Sequence, residues 1–550
     1  MPRYCLSFVA LSTFSLGMLV AAATASEPRV DPQAETDKPD PMRQLQTAAM
    51  EDGQGAFGHW GAISEQYSSW TNHSNRLIPM YTFGIDLDTL REEGSAYADE
   101  ARLKQLYGKV PEGTLNPEAK YFDQTDVYRL QLQAVEAGKR HVILVVFDGM
   151  DWQTTRAASL YKQGAVQYDS GRGTGLLFQD YRGGPTDFGF FVTSPLLGGL
   201  ETDVNVQVVL GGDKPSTGGY DPSLGGSTPW QRPASPQYPI GLDRTRPHTV
   251  TDSASSATSL TAGIKTYNAS INVAADGEQV EPIARKLQRK RGFAVGAVSS
   301  VPVSHATMGA TYANNVSRGD YQDISRDLLG VRSVAHRSEA LPGVDVLLGG
   351  GWGEEAETAK GQGENYLPGN KYIHQTDLDQ VESNGAVVVQ RTPGRAGDEV
   401  LSEAAAKAAA EKRRLVGVFG TKRGHLPFQT ADGQYNPTVD MKGGETYTAA
   451  DVQENPTLAD MTTAALQVLE QNEEGFWLLV EAGDVDWANH ANNLDDSIGA
   501  VLSGDAAFAA IVRWVEQRQG WDDTAVILTA DHGHYFIMTD PQAIADAGKK

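Results

Sequence analysis

Thiol chemistry is nearly absent from this chain: the sequence of 550 residues holds one cysteine, Cys5. That residue lies in an N-terminal stretch, MPRYCLSFVALSTFSLGMLVAAATASEP, with one arginine, an apolar run and then Ala23-Thr24-Ala25. This order of features predicts a secretory signal peptide over residues 1–25, cleaved after Ala25. The mature chain would then have no disulfide, and its stability must come from a large core or from bound metal. Sulfur ligands are excluded for any metal site, which leaves imidazole, carboxylate and hydroxyl groups. Basic charge is also in deficit, 46 Lys and Arg against 70 Asp and Glu, for a net charge of −24. Such a surface repels a phosphodiester backbone, so binding to a nucleic-acid duplex is not expected. No stretch after the signal reads as long and apolar enough to span a membrane.

The rest of the chain divides by composition. Residues 26–45 are polar and proline-rich and read as a disordered linker. Residues 46–137 read as an N-terminal extension packed on the main domain, with a helical stretch at Leu90–Tyr107. From residue 138 to 550, apolar β-branched runs recur at Val142–Phe147, Phe293–Val298, Val344–Leu348, Leu415–Phe419, Phe476–Val480 and Ala525–Leu528. Helical patterns such as Ile283–Lys290 and Asp460–Glu470 separate several of them. This alternation predicts an α/β fold with a large, mostly parallel central sheet flanked by helices. Loop-rich insertions are expected at about 165–246 and 352–457, the second interrupted by a helix over Ser402–Lys412.

Metal-compatible side chains gather at the ends of these runs. Asp148 follows the first, His305 and Thr307 the second, Glu481 the fifth with Asp486 and His490 just beyond, and Asp531 and His532 the sixth. Ligands bind beyond the carboxyl ends of strands in open parallel sheets. Each residue alone is an ordinary turn or cap residue; repetition at four strand ends argues for a site. Oxygen and imidazole donors suit Zn²⁺ or Mg²⁺, and a carboxylate such as Asp148 can bridge two ions. A two-metal site stabilises attacking and leaving oxygens in a displacement at phosphorus.

The stretch TDSASSAT at 251–258 supplies a nucleophile for such a reaction. Ser253 precedes a helix-compatible run, Ala254–Ala262, ended by Gly263. Read alone, Asp252 and Ser253 are a helix N-cap. Beside metal ligands, a hydroxyl at a positive helix terminus can also become an activated nucleophile.

These residues resemble the metal-dependent alkaline phosphatases. The likeness rests on FDGMDW, HTVTDSASSATSLTAGIKTYNASI, HATMGATYANNVSR, VDVLLGGG, VEAGDVDWANHANN and AVILTADHGH, spread from residue 141 to about 536. The resemblance implies that Ser253 becomes phosphorylated, and that Asp148, Asp531 and His532 hold the zinc that activates it. It implies a second zinc on Asp486 and His490. One magnesium would sit on Glu481, Thr307 and Asp148, with His305 and Trp487 beside it. Arg318 corresponds to a phosphate-clamping arginine, oriented by Asp252, and His534 to a residue that steadies a ligand carboxylate. The activity implied is hydrolysis of small phosphate monoesters by a periplasmic or secreted enzyme. A homodimer without a membrane span after signal cleavage is expected by the same analogy. A phosphodiesterase of the same superfamily and a non-catalytic phosphate- or metal-binding protein are the alternatives.

Two departures stand out. His305 and Trp487 replace an Asp and a Lys found in some relatives, which implies altered magnesium dependence, and Asp151 stands where glycine is usual. The resemblance also calls for a further zinc-ligating histidine some tens of residues beyond Asp531-His532. No histidine follows His534. The expectation is therefore a truncated sequence, or else an incomplete second zinc site, with the closing edge of the sheet missing as well.

Overall fold

A computed structural model describes residues 40–212, 218–242, 248–436 and 446–549. The expected signal peptide and most of the expected linker lie outside the described residues. The linker's last residues do not: Pro41–Asp52 is a helix capped by Asp40, whose carboxylate accepts from Met42 and Arg43 N–H groups. Helical structure therefore begins inside 26–45.

Ten strands form one mixed sheet. In chain order they are β1 (Ile78–Phe83), β2 (Phe122–Asp123), β3 (His141–Phe147), β4 (Thr186–Val192), β5 (Ala294–Pro302), β6 (Val346–Gly350), β7 (Val387–Gln390), β8 (Leu415–Val418), β9 (Phe476–Ala482) and β10 (Thr524–Thr529). Their order across the sheet is β7-β8-β6-β5-β9-β3-β10-β1-β4-β2. Neighbours from β7 to β10 are parallel. The central strands β3, β9 and β10 are buried almost throughout, which explains their near-continuous Val, Ile and Leu runs. The fold is α/β, as the sequence predicts.

Two helix layers cover the sheet. One contains Gly397–Glu411, Leu458–Leu469, Leu494–Arg518 and Trp152–Gln163; the other contains Thr125–Glu136, Ser253–Ala262 and Ile283–Arg291. Leu494–Arg518 is long and apolar enough to cross a membrane, contrary to the reading above, but 72% of its most apolar window is buried. It packs between Leu458–Leu469 and Trp152–Gln163 as a core helix. The expected helix Leu90–Tyr107 is broken: Asp88–Glu93 ends at Gly94, whose φ is 74°, and Glu100–Tyr107 starts afresh behind an Asp99 cap.

The larger correction concerns residues 46–137. They are no appendage. β1 is a fully buried interior strand, antiparallel to β10 on one side and to β4 on the other. Two short strands, Gly58–Trp60 and His73–Ser74, pair with Phe536–Met538 and Gly533–His534. The sheet edge expected to be missing is thus filled from the N-terminal side. A buried ion pair, Arg76 to Asp151 at 2.7 Å, ties this segment to the loop after β3. Asp151 also caps Trp152–Gln163, which gives that unusual residue a structural role.

Candidate active site

The carboxyl ends of β3, β5, β9 and β10 converge on one buried cluster. Asp148 follows β3 directly, and Glu481 is the sixth residue of β9. Beyond β9 a single turn of chain leads into the helix Asp484–His490, which carries Asp486 and His490 four residues apart and so on one face. Asp531 and His532 follow β10. His305 caps the short helix Ala306–Ala310, which carries Thr307. Gly149 sits in the left-handed region at φ 72°, and a Cβ there would lie 2.9 Å from the His534 ring. The site can close only around a glycine at this position.

Two groups of side chains have the geometry of a metal site. In the first, His532 Nε2 lies 3.3 Å from Asp148 Oδ1 and 3.3 Å from Asp531 Oδ2, and Ser253 Oγ is 3.1 Å from the same nitrogen. Asp148 Oδ1 and Asp531 Oδ2 are buried without a hydrogen-bond partner. The other oxygen of Asp531 accepts from the N–H groups of Gly149 and His532. Orphaned buried carboxylate oxygens are costly unless a cation or proton meets them. The second group comprises Asp486, His490, His534 and His73. Asp486 Oδ1 lies 3.4 Å from His490 Nε2 and 3.5 Å from His73 Nε2. His534 Nε2 donates to it at 2.7 Å.

A third set lies behind the first. Both carboxylate oxygens of Glu481 and the hydroxyl of Thr307 are buried and make no well-formed hydrogen bond, although the Ser299 and Thr307 hydroxyls lie close enough to the carboxylate to favour its charge. These are hard oxygen donors of the kind that Mg²⁺ takes. The residues present therefore fit the divalent ions that the donor chemistry implies.

Electrostatics follow from this crowding. Burial, then the charges of Asp531, Asp486 and Glu481, push Asp148 well above the usual carboxylate range. Burial also raises Glu481 to about 7, against the pull of Ser299 and Thr307 hydroxyls. Asp486 behaves oppositely: burial acts upward, but His490, His534 and His73 together hold it well below its ordinary value. Burial drives His532 well down and His534 to about 3, so both are neutral and able to act as ligands or acceptors.

Ser253 is the first residue of the helix Ser253–Ala262, and Asp252 is its N-cap. Asp252 thus caps the helix, and Ser253 Oγ projects toward the candidate metal ligands beside His532. Asp252 Oδ1 accepts from Ser255 N–H and Oγ, while Oδ2 accepts from Ala269 N–H and from Arg318 Nη1 at 3.1 Å. Burial would raise Asp252, but Arg318 and these donors hold it below its ordinary value. One carboxylate therefore fixes the helix start and the guanidinium together. His305 stacks on Tyr321 with ring centroids 5.5 Å apart and meets Trp487 at 5.5 Å. Burial, with Arg318 and Lys371 nearby, lowers His305 to about 3, so it is neutral.

All thirteen residues singled out in the sequence surround this cluster. His73 was missed. It stacks on His532 at 3.6 Å and faces His490, Nε2 to Nε2, at 3.1 Å. A histidine inside WTNHSN carries no local metal motif, and only the pairing of His73–Ser74 with Gly533–His534 brings it in.

Comparison with known proteins adds an independent line. The family model for alkaline phosphatase matches residues 229–546, more than half of the chain. Alkaline phosphatase H of Pseudomonas aeruginosa is 32% identical over 325 residues, covering 56% of this chain and 62% of that protein. Alkaline phosphatase of Escherichia coli is 29% identical over 314 residues, covering 56% and 63%. Streptomycin-6-phosphate phosphatase of Streptomyces griseus is 30% identical over 304 residues, covering 53% and 63%. The chain thus spans a little over three fifths of the length of these relatives. Among solved structures, a cold-active alkaline phosphatase from Shewanella sp. matches at 22% identity and a TM-score of 0.41, covering 72% of this chain and 68% of that one. With more than half of its length matched by that family model, the chain belongs to the alkaline phosphatase family.

Proposed function

We propose that this protein is a periplasmic or secreted phosphomonoesterase that works through a phosphoserine at Ser253. The observation that carries this reading is Ser253 Oγ at 3.1 Å from His532 Nε2, at a helix N-terminus and beside two orphaned carboxylate oxygens. Asp148, Asp531 and His532 would hold one zinc, Asp486 and His490 a second, and Asp148, Glu481 and Thr307 a magnesium. When bound, these ions supply Lewis acidity toward the nucleophile, the leaving oxygen and the phosphoryl group.

The chain's own residues do the rest. Ser253 Oγ attacks phosphorus in line, the bond to the ester oxygen breaks, and the alcohol leaves with a proton. Water then attacks the phosphoserine, which returns Ser253 and releases inorganic phosphate. Arg318 presents a planar fork to two phosphoryl oxygens, and Asp252 holds that fork in register. The open helix terminus favours the charge that develops beside Ser253. His534 keeps Asp486 aimed into the cluster.

The test is release of nitrophenol from nitrophenyl phosphate by the full chain with zinc and magnesium, alongside bis-nitrophenyl phosphate. Monoester turnover at least about a hundredfold above diester turnover is expected, since Arg318 would take two phosphoryl oxygens and the metal donor sets a third, and a diester has only two unesterified oxygens. Preference for the diester would favour a phosphodiesterase. Tight phosphate binding without turnover would make the protein a binding module.

A further inference from the structure

Two imidazoles in the second metal group face each other in a way that neutral rings do not tolerate. His73 Nδ1 lies 2.9 Å from the Thr251 carbonyl, and His490 Nδ1 lies 2.7 Å from the Thr71 carbonyl. A carbonyl oxygen only accepts, so both Nδ1 atoms carry the proton. In the neutral rings both Nε2 atoms then present lone pairs, and these meet at 3.1 Å. Asp486 Oδ1 completes a triangle at 3.4 and 3.5 Å. Three acceptors pointed at one another repel unless something positive lies among them.

The size of the triangle fits a metal ion. Tetrahedral zinc with bonds of about 2.0–2.1 Å to nitrogen and oxygen has ligand-to-ligand edges of roughly 3.3–3.4 Å. The observed edges of 3.1, 3.4 and 3.5 Å match one face of such a tetrahedron. The outer contacts agree, since metal-bound histidines characteristically donate the other ring N–H to a backbone carbonyl. The surroundings hold His73 in place independently of any ion. It pairs across a short ladder with His534, and Arg76, three residues on, is pinned by Asp151 and the Phe536 carbonyl.

We propose that His73 is the third protein ligand of the ion held by Asp486 and His490, so that the N-terminal segment is part of the catalytic centre. This rests on the metal-dependent reading above and deepens it. The ligand set spans 417 residues of sequence, from His73 to His490. The histidine sought beyond Asp531-His532 has its counterpart before β1, and the same segment supplies the strand beside β10. The segments that build this site therefore run in a different order from the one the resemblance implies.

The experiment counts ions rather than turnover. The metal-free full chain, His73→Ala and His73→Cys are titrated with Zn²⁺ and Co²⁺, with ions counted by native mass spectrometry and Co²⁺ followed by absorption. Wild type should hold the Asp486 ion with tetrahedral Co²⁺ bands. His73→Ala should weaken that ion at least about a hundredfold while retaining the ion at Asp148, Asp531 and His532. His73→Cys should recover it with a thiolate-to-Co²⁺ charge-transfer band, on a background whose one native thiol is Cys5. Equal affinity in wild type and His73→Ala, with no thiolate band from the Cys variant, would overturn the assignment and leave the phosphatase reading standing. A wild type that takes up no ion would overturn both.

Discussion

Asp252 and Arg318 are joined at 3.1 Å through the same carboxylate that caps the helix bearing Ser253. The proposed phosphate clamp and the proposed nucleophile would therefore be set by one side chain. Arg318→Ala should lower kcat/KM about 100- to 1,000-fold, the loss seen when one oriented transition-state donor is removed. Asp252→Asn should weaken binding of inorganic phosphate while leaving the fold intact, because the amide oxygen still caps. Steady-state kinetics and phosphate inhibition constants check both. Unchanged phosphate affinity in Arg318→Ala would remove this residue from the site.

Ser253→Ala should lose turnover by roughly 10⁴-fold or more, since a phosphoryl acceptor cannot be replaced by binding energy alone. Its thermal stability should stay close to wild type, because Asp252 rather than Ser253 caps the helix. A large stability loss with residual turnover would reverse the two roles.

The raised Glu481 gives a pH prediction with a definite sign. Burial first, and repulsion from Asp531 and Asp486, move it from 4.5 to about 7, with Ser299 and Thr307 opposing. Between those values the folded state keeps a proton that the unfolded state has lost, so Glu481 costs stability as pH rises through that window. In metal-free protein, Glu481→Gln should gain about 1–3 kcal/mol over wild type near neutral pH and little near pH 4.5. With magnesium and zinc present the order should reverse, because the substitution removes a ligand. Denaturant unfolding with and without chelator measures this. A gain that is the same at both pH values would contradict it.

The N-terminal region also supports the helix that begins at Ser253. Lys265 Nζ lies 2.9 Å from Asp123 Oδ2 with both side chains buried, and it also donates to Gln124, which donates to the Ser256 carbonyl and hydroxyl. Lys265→Met leaves Asp123 buried without its cationic partner, though Tyr97 and Thr125 still donate to it, and should cost about 3 kcal/mol. The Lys265→Met, Asp123→Leu double variant should recover part of this, as read from thermal and chemical unfolding. No recovery would place the cost in packing instead.

Six strands of the parallel half were legible because burial on both faces demands continuous Val, Ile and Leu runs, and their observed bounds lie within a few residues of those runs; the edge strand β7, half-buried and inside the stretch 352–457 read as a loop-rich insertion, was not. The donor set was legible for a related reason: strand ends in such a sheet face one edge, so Asp148, Glu481 and Asp531 had to be neighbours. The N-terminal contribution was hidden by chemistry that local rules count against a strand. β1 carries Pro79, which lacks an N–H and argues against a central position, yet its carbonyl accepts from Thr529 Oγ1 and the strand sits between β10 and β4. His73 has no spacing signal, since its partners are brought together by strand pairing and not by sequence distance. Gly94 likewise ended a helix that periodicity alone carried through to Tyr107.

The most direct test of the account is to trap the covalent intermediate. The full chain, loaded with zinc and magnesium and mixed with a phosphate monoester, is quenched in acid within the first turnovers, digested and mapped by mass spectrometry. The account predicts a phosphoryl group on the peptide containing Ser253, absent when Ser253→Ala is treated in the same way. Turnover in wild type with that peptide unmodified, or a phosphoryl group on another residue, would contradict it.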